Sequence, residues 1–249
     1  MGAVSYLNTK PLVYGMTQGM MKENAELIFD YPANIAAALL QDKIDVGLVP
    51  VAILPEMEDY HIVSDYCISS DGEVASVCLF SEVPLEQIDT ILLDFQSRTS
   101  IALVELLCRD HWRIQPVFKT APLNFQEMIK GNTAAVVIGD RAFKQREIST
   151  YRYDLGEAWK KMTDLPFVFA AWVSNKLLDD DFIAAFNKAN QYGLDHLDTV
   201  IAQNPFPLFD LEQYYTHYIR YRLTPSSRQG LQSFLKMLQE AHNHITCVK

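Results

Sequence analysis

Apolar positions in this chain follow two rhythms, and the change comes just after Val173. Up to that point short, nearly continuous apolar runs alternate with stretches whose apolar residues recur every three or four positions. Buried strands joined by helices produce that order. The runs predict strands over 2–7, 25–31, 45–51, 74–80, 90–93, 116–118, 134–138 and 167–173. Between them, Asn8 and Thr9 are placed to cap a helix with Pro11 in its first turn. Asn34 is placed to cap a helix over 35–41, Ser97 opens one with Ile101, Val104, Leu107 and Cys108 on a single face, and 122–129 forms a short one. Beyond Val173 helical spacing takes over, first in Phe182, Ala185, Phe186, Ala189 and Leu197. It continues in Leu211, Tyr214, Tyr215 and Tyr218, then in Leu231, Phe234, Leu235, Leu238 and Ala241 behind Pro225.

This order, α/β units followed by a helical tail, predicts mainly parallel sheets in two lobes with a cleft between them. Ligands of open α/β sheets sit at the carboxyl ends of strands. That singles out Asn8 and Thr9, residues 32–34, Pro50, residues 96–100 and residues 139–141. Hydroxyls and amides dominate this set, and general acids and bases are scarce in it.

Composition narrows the classes. Of 249 residues, 49% are apolar and 21% charged, enough to bury a large core and too apolar for a disordered chain. No apolar run reaches the roughly 18 residues of a membrane span, and the first residues carry neither a basic nor a long apolar leader, so a cytoplasmic protein is expected. The net charge of -10 repels phosphate backbones and argues against nucleic acid, yet a helix N-terminus inside such a protein still suits a small anion. Cys67, Cys78, Cys108 and Cys247 match no metal or disulfide spacing. His242 and His244 stand two apart and point to different helix faces, which fits a solvated helix end better than a metal pair. No nucleotide-binding or metallohydrolase motif occurs, so neither a metal nor a cofactor is expected.

The polar cluster Ser97-Arg98-Thr99-Ser100 follows a strand and opens a helix. It reads either as a plain cap or as a carboxylate or phosphate site, since N–H groups there are unpaired. Plain caps are far commoner. Asn8 reads either as a turn residue or as a donor and acceptor at the cleft mouth. Glu73, Ser76, Lys10 and Arg98 likewise read as ordinary surface or core groups on pattern alone.

A resemblance goes further than pattern. Ser5-Tyr6-Leu7-Asn8-Thr9-Lys10-Pro11-Leu12, Leu48-Val49-Pro50-Val51, Gly72-Glu73-Val74-Ala75-Ser76-Val77, Asp94 with Ser97-Arg98-Thr99-Ser100, Ile138-Gly139-Asp140-Arg141-Ala142, Asp154-Leu155-Gly156 with Trp159, and residues 165–172 stand in this order. The series resembles the motifs of the chorismate dehydratases, which begin the futalosine route to menaquinone. It covers residues 3 to about 175, and the tail is similar only in character. The resemblance implies an α/β, two-lobed fold of the type II periplasmic-binding-protein kind with a helical C-terminal tail. One lobe is expected to comprise 1–77 and 168–249, tail included, and the other 78–167. It implies a lyase without cofactor or metal, acting on chorismate as its small-molecule partner, with no nucleic acid or membrane involved. Asn8 is then the first candidate for catalysis. Ser76, Thr99 and Ser100, with Ser97 at the same helix start, are candidates for binding carboxylates, and Ser5, Asn34 and Asp140 are weaker candidates. A non-catalytic binding protein of the same fold, the naphthoate synthase of the same pathway and the effector lobe of a transcription factor are the alternatives.

Overall fold

The computed structural model describes residues 1–94 and 97–246, and side chains as far as Ala241. Gln96, Cys247 and the side chains of His242 and His244 lie outside the described residues. In chain order the elements are β1 (Gly2–Val4), α1 (Lys10–Thr17), β2 (Ile28–Asp30), α2 (Pro32–Leu40), β3 (Val46–Pro50), β4 (His61–Ser70), β5 (Val77–Ser81), β6 (Thr90–Leu93), α3 (Arg98–Leu107) and β7 (Val117–Thr120). They continue with β8 (Thr133–Ile138), α4 (Asp140–Arg146), β9 (Tyr151–Asp154), α5 (Leu155–Thr163), β10 (Phe167–Ser174), α6 (Asp180–Asp195), α7 (Leu197–Gln203), α8 (Leu211–Gln213), β11 (Arg220–Arg222) and α9 (Pro225–Thr246).

Two sheets result, a six-stranded one in the order β11-β4-β10-β3-β1-β2 and a five-stranded one in the order β7-β6-β8-β5-β9. The sheets are mixed, against the expectation of mainly parallel ones. β1 pairs in parallel with β2 and β3, and β6 with β7 and β8. β10 runs antiparallel to β3 and β4, β11 to β4, and β5 to β8 and β9. The reason is the path of the chain. It leaves the first sheet through β4, enters the second through β5, departs through β9 and returns along β10 beside β4, so the joining strands meet as out-and-back neighbours.

The long central strand β4 is absent from the hydrophobic pattern because Ser64, Ser69 and Ser70 are buried in it. Each hydroxyl is satisfied: Ser64 on Asn187 at 2.8 Å, Ser69 on the Arg220 carbonyl at 2.7 Å, Ser70 on the Gly72 carbonyl at 2.9 Å. Polar side chains satisfied inside the fold cost little. The expected helix over 122–129 is a single 3-10 turn, Phe125–Met128, preceded by Asn124 in the left-handed region at φ 58°. The tail is helical apart from β11. It does not keep to the first lobe alone: α6 lies on α1, with Gly193 so close to the Pro11 carbonyl that no Cβ fits, while Phe206, Phe209 and Tyr214 pack around Phe143 of α4 with centroids 5.6, 4.5 and 5.0 Å away. The tail thus touches both lobes. Among the described residues no helix is long and apolar enough to cross a membrane.

Candidate active site in the interlobe cleft

β1 ends at Val4 because the chain must turn into α1. Tyr6 is still extended, and Leu7–Thr9 forms a 3-10 turn that delivers Asn8 to the cleft. Neither Asn8 nor Thr9 caps α1 with its side chain. Opposite, β8 ends at Ile138 and Gly139 turns the chain into α4 at φ 63°, ψ −150°, a conformation open essentially to glycine. A Cβ at Gly139 would also stand 3.2 Å from the Tyr6 ring, so the glycine lets the tyrosine close over it.

Between these turns lies a small pocket of about 70 Å³. Val4, Leu48, Ile68, Val77, Ile138 and Phe169 supply apolar walls. Asn8, Thr9, Tyr6, Ser97, Thr99 and Ser100 supply the polar groups, and among the described residues the lining includes no charged side chain. A second depression, nearer solvent, is lined by Ser5, Tyr31, Asp94, Asp140 and Arg141, with Tyr6 on the wall of both.

The predicted residues therefore separate. Asn8, Ser97, Thr99 and Ser100 come together in the inner pocket. Ser5 and Asp140 belong to the outer depression. Asn34 belongs to neither: α2 starts earlier than expected, at Pro32, which makes Asn34 a helical residue rather than a cap, and its exposed amide donates to Asp30 at 2.8 Å. Ser76 is fully buried one layer behind the pocket wall, its hydroxyl accepting from Tyr214 at 2.7 Å.

Ser97 occupies the N-cap position of α3, yet its side chain makes no cap bond. Ser97, Thr99 and Ser100 instead line the pocket at a helix start, where N–H groups carry partial positive charge. Thr99 also ties the lobes, since its hydroxyl oxygen accepts from the Ala52 N–H at 3.2 Å. Arg98 points away and pairs with Glu56 at 2.8 Å. Asp140 accepts from the Leu7 N–H at 3.1 Å, a further bond between lobes. Burial raises its pKa, while that N–H, Lys10 and Arg141 pull it down. Arg141 is held by Asp94 and also interacts with the Tyr6 phenol. Burial pushes that phenol up to about 12, so it stays protonated.

The tail residues at the site are absent from the sequence reading. Tyr214 is fully buried and its hydroxyl donates to Ser76 behind the pocket wall. The Tyr221 hydroxyl donates to the Asn8 carbonyl at 3.0 Å. Four tyrosines within eight residues, 214 to 221, were the available signal. Their spacing reads as a core helix, whereas a π-helical turn at Tyr214–Tyr218 and β11 bring one hydroxyl onto Ser76 and another onto the Asn8 carbonyl. Among the described residues no group of three His, Cys, Asp or Glu side chains is placed to hold a metal ion.

The strand that closes this pocket depends on a second polar centre. Asp154, at the end of β9, accepts from the N–H groups of Val74 at 3.1 Å and Ala75 at 2.8 Å in the outgoing joint, and of Gly156 at 3.0 Å and Glu157 at 3.1 Å in the returning one. Burial pushes its pKa up to about 6 against these donors, which leaves it ionised at neutral pH. Ala75 is held at φ 65°, which is why β5 starts at Val77 and not at the predicted Val74.

A family model described as menaquinone biosynthesis matches residues 1–240. The chorismate dehydratase of Thermus thermophilus is 26% identical over an alignment spanning 96% of this chain and 94% of that protein. Among solved structures, protein AF1704 from Archaeoglobus fulgidus superposes with a TM-score of 0.76 at 13% identity, covering 97% of each chain. The periplasmic aliphatic sulphonate binding protein SsuA from Escherichia coli superposes with a TM-score of 0.61 at 14% identity, covering 97% of this chain and 91% of that one. The low identities make the last two likenesses ones of fold. With two lobes of the periplasmic-binding-protein kind and a family match along almost its whole length, the chain belongs to the menaquinone biosynthesis family.

Proposed function

We propose that the protein is a chorismate dehydratase, a lyase that converts chorismate to 3-[(1-carboxyvinyl)oxy]benzoate and water at the first step of futalosine-dependent menaquinone synthesis. The observation that carries this reading is the start of α3, where Ser97 makes no side-chain cap bond and Ser97, Thr99 and Ser100 line a pocket that, among the described residues, has no charged side chain. Such a pocket suits an anion that must be held and oriented rather than one that needs strong acid–base machinery.

The reaction removes the ring proton beside the ether oxygen together with the neighbouring hydroxyl, and the ring becomes aromatic. Aromatisation drives it, and the ring carboxylate delocalises charge through the diene as the proton departs. In this reading Ser97, Thr99, Ser100 and the α3 N-terminus hold a carboxylate. The Asn8 amide donates to the departing hydroxyl and stabilises charge there. The substrate's own enolpyruvyl carboxylate takes the proton. That assignment is supported by Asp140, the nearest predicted alternative, being engaged by the Leu7 N–H in the outer depression. The lobes, 1–77 with 168–249 and 78–167, would open and shut about Val77 and Val168. Scattering profiles with and without product then differ in compactness.

Incubating the protein with chorismate tests the activity. The expected result is a new aromatic absorbance and a product lighter by one water. Chorismate bound and recovered unchanged would instead make this a binding protein, and turnover only of a dehypoxanthine futalosine would make it the sibling synthase. Loss of all rate in Asp140→Asn, with normal binding, would return the proton to the protein.

A further inference from the structure

We propose that Tyr221, in the tail, is a positioning residue for this dehydration, acting through the backbone of Asn8. The proposal rests on the role given to Asn8 above. The turn that carries Asn8 closes by successive bonds between residues three apart. The Thr9 N–H donates to the Tyr6 carbonyl at 3.1 Å, and the Lys10 N–H donates to the Leu7 carbonyl. The next bond in that series would reach the Asn8 backbone carbonyl from residue 11. That residue is Pro11, which has no N–H to give. The Tyr221 hydroxyl stands in for it, donating to the Asn8 backbone carbonyl at 3.0 Å. A donor 213 residues further along the chain thus replaces the one that the proline removes.

Tyr221 is itself fixed. In β11 it is buried between exposed Arg220 and Arg222, as the alternation along a strand requires. β11 runs antiparallel to β4 and is pinned on either side of the tyrosine. The Ser69 hydroxyl donates to the Arg220 carbonyl at 2.7 Å, and the Leu223 N–H donates to the Asp65 carbonyl at 2.8 Å. Burial pushes the phenol well above the ordinary tyrosine range, so it keeps the proton that it donates. Among the described residues Asn8 lines the pocket and Tyr221 does not, so the hydroxyl reaches the site through that carbonyl. An ångström of misplacement at a reacting group is enough to slow a reaction strongly. Tyr215 supplies an internal contrast: it is buried in the same tail segment, yet its hydroxyl has no partner among the described residues.

Tyr221→Phe removes one oxygen and keeps the ring. With chorismate as substrate, kcat should fall ~10-fold while KM stays within about threefold. Tyr215→Phe should keep wild-type kcat. In an Asn8→Ala background the Tyr221→Phe loss should vanish, because the positioned amide is gone. Pro11→Ala gives residue 11 an N–H of its own, so the Pro11→Ala/Tyr221→Phe pair should recover most of the lost kcat. That pair also carries the test should Tyr221→Phe alone not fold. Wild-type kcat in Tyr221→Phe, a loss that persists in the Asn8→Ala background, or a pair that stays slow would overturn the proposal while leaving Asn8 in place. Wild-type turnover by Asn8→Ala would overturn the role of Asn8 itself, and no turnover of chorismate by the wild-type protein would overturn the reading from which both follow.

Discussion

Helices α5 and α3 both begin where the lobes meet, and both present the same unpaired N–H groups and partial positive charge. At α5 the protein fills that need from within. Asp154 accepts from Gly156 and Glu157 and, with the same carboxylate, from Val74 and Ala75, so one buried charge pins the outgoing and the returning joint together. At α3, among the described residues, the N-cap side chain does not fill it. Ser97 makes no side-chain cap bond, and it lines a pocket together with Thr99 and Ser100. A helix start satisfied internally is a joint, and one left unsatisfied at a cleft is a place for an acceptor from outside.

The first way to break this comparison is at the joint. Asp154→Ala strands three buried N–H donors, of Val74, Ala75 and Gly156, and the half-buried one of Glu157. Each unsatisfied group costs about 1–3 kcal/mol, partly offset by released desolvation of the carboxylate, so a stability loss of about 4 kcal/mol is expected in urea unfolding. A loss below about 1 kcal/mol would show that the two joints hold without it.

The second tests the cleft. Asn8→Ala should bind chorismate nearly normally and turn it over about a hundredfold more slowly, since a donor aimed at developing charge is worth about 2.7–4 kcal/mol in the barrier. Asn8→Asp should be at least as slow, because it sets a negative charge beside a dianion. Turnover beside a binding titration on each variant checks both. Because Asn8 does not cap α1, stability should hold.

These sites differ in how readable they are from sequence. β6 is legible because an apolar run, Ile91-Leu92-Leu93, is bounded by Asp89 and Asp94, and α3 because its apolar residues keep helical spacing. β4 is hidden by serines that find partners only after Asn187 and Arg220 arrive from the tail. Asn34 misleads because a capping residue near a helix start is an ordinary signal, and Pro32 had already claimed the first helical position. Tyr214 is concealed for a related reason: the spacing of Leu211, Tyr214, Tyr215 and Tyr218 reports one buried face, and says nothing of which distant residue its hydroxyls meet. Residues that line the pocket near their own strand end are legible; residues placed by tertiary hydrogen bonds are not.

The third expectation sharpens the cleft side. Replacing Thr99 and Ser100 together with Ala should weaken binding by about 1–3 kcal/mol, the scale of charge-assisted hydrogen bonds. Part of this comes from Thr99 alone, because the closed form then leaves the Ala52 N–H without its acceptor. Thr99→Ser keeps the hydroxyl and should recover that part. Calorimetry giving wild-type affinity for the double variant would remove α3 from the site.

The smallest effect is the most pointed. At an ordinary N-cap, Ser→Ala costs about 0.5–2 kcal/mol of stability. Ser97 holds the N-cap position of α3 without using its side chain as a cap, while its carbonyl still accepts from the Ile101 N–H at 3.0 Å. Ser97→Ala retains that backbone bond and removes only the hydroxyl at the pocket. Stability in the absence of ligand should therefore change by less than about 0.5 kcal/mol, whereas the midpoint shift produced by saturating chorismate or product should shrink, because ligand stabilisation follows affinity. Thermal unfolding with and without ligand reads both quantities from one protein. A full capping loss without ligand, with the ligand shift unchanged, would make α3 a helix start of the same kind as α5 and dissolve the contrast between them.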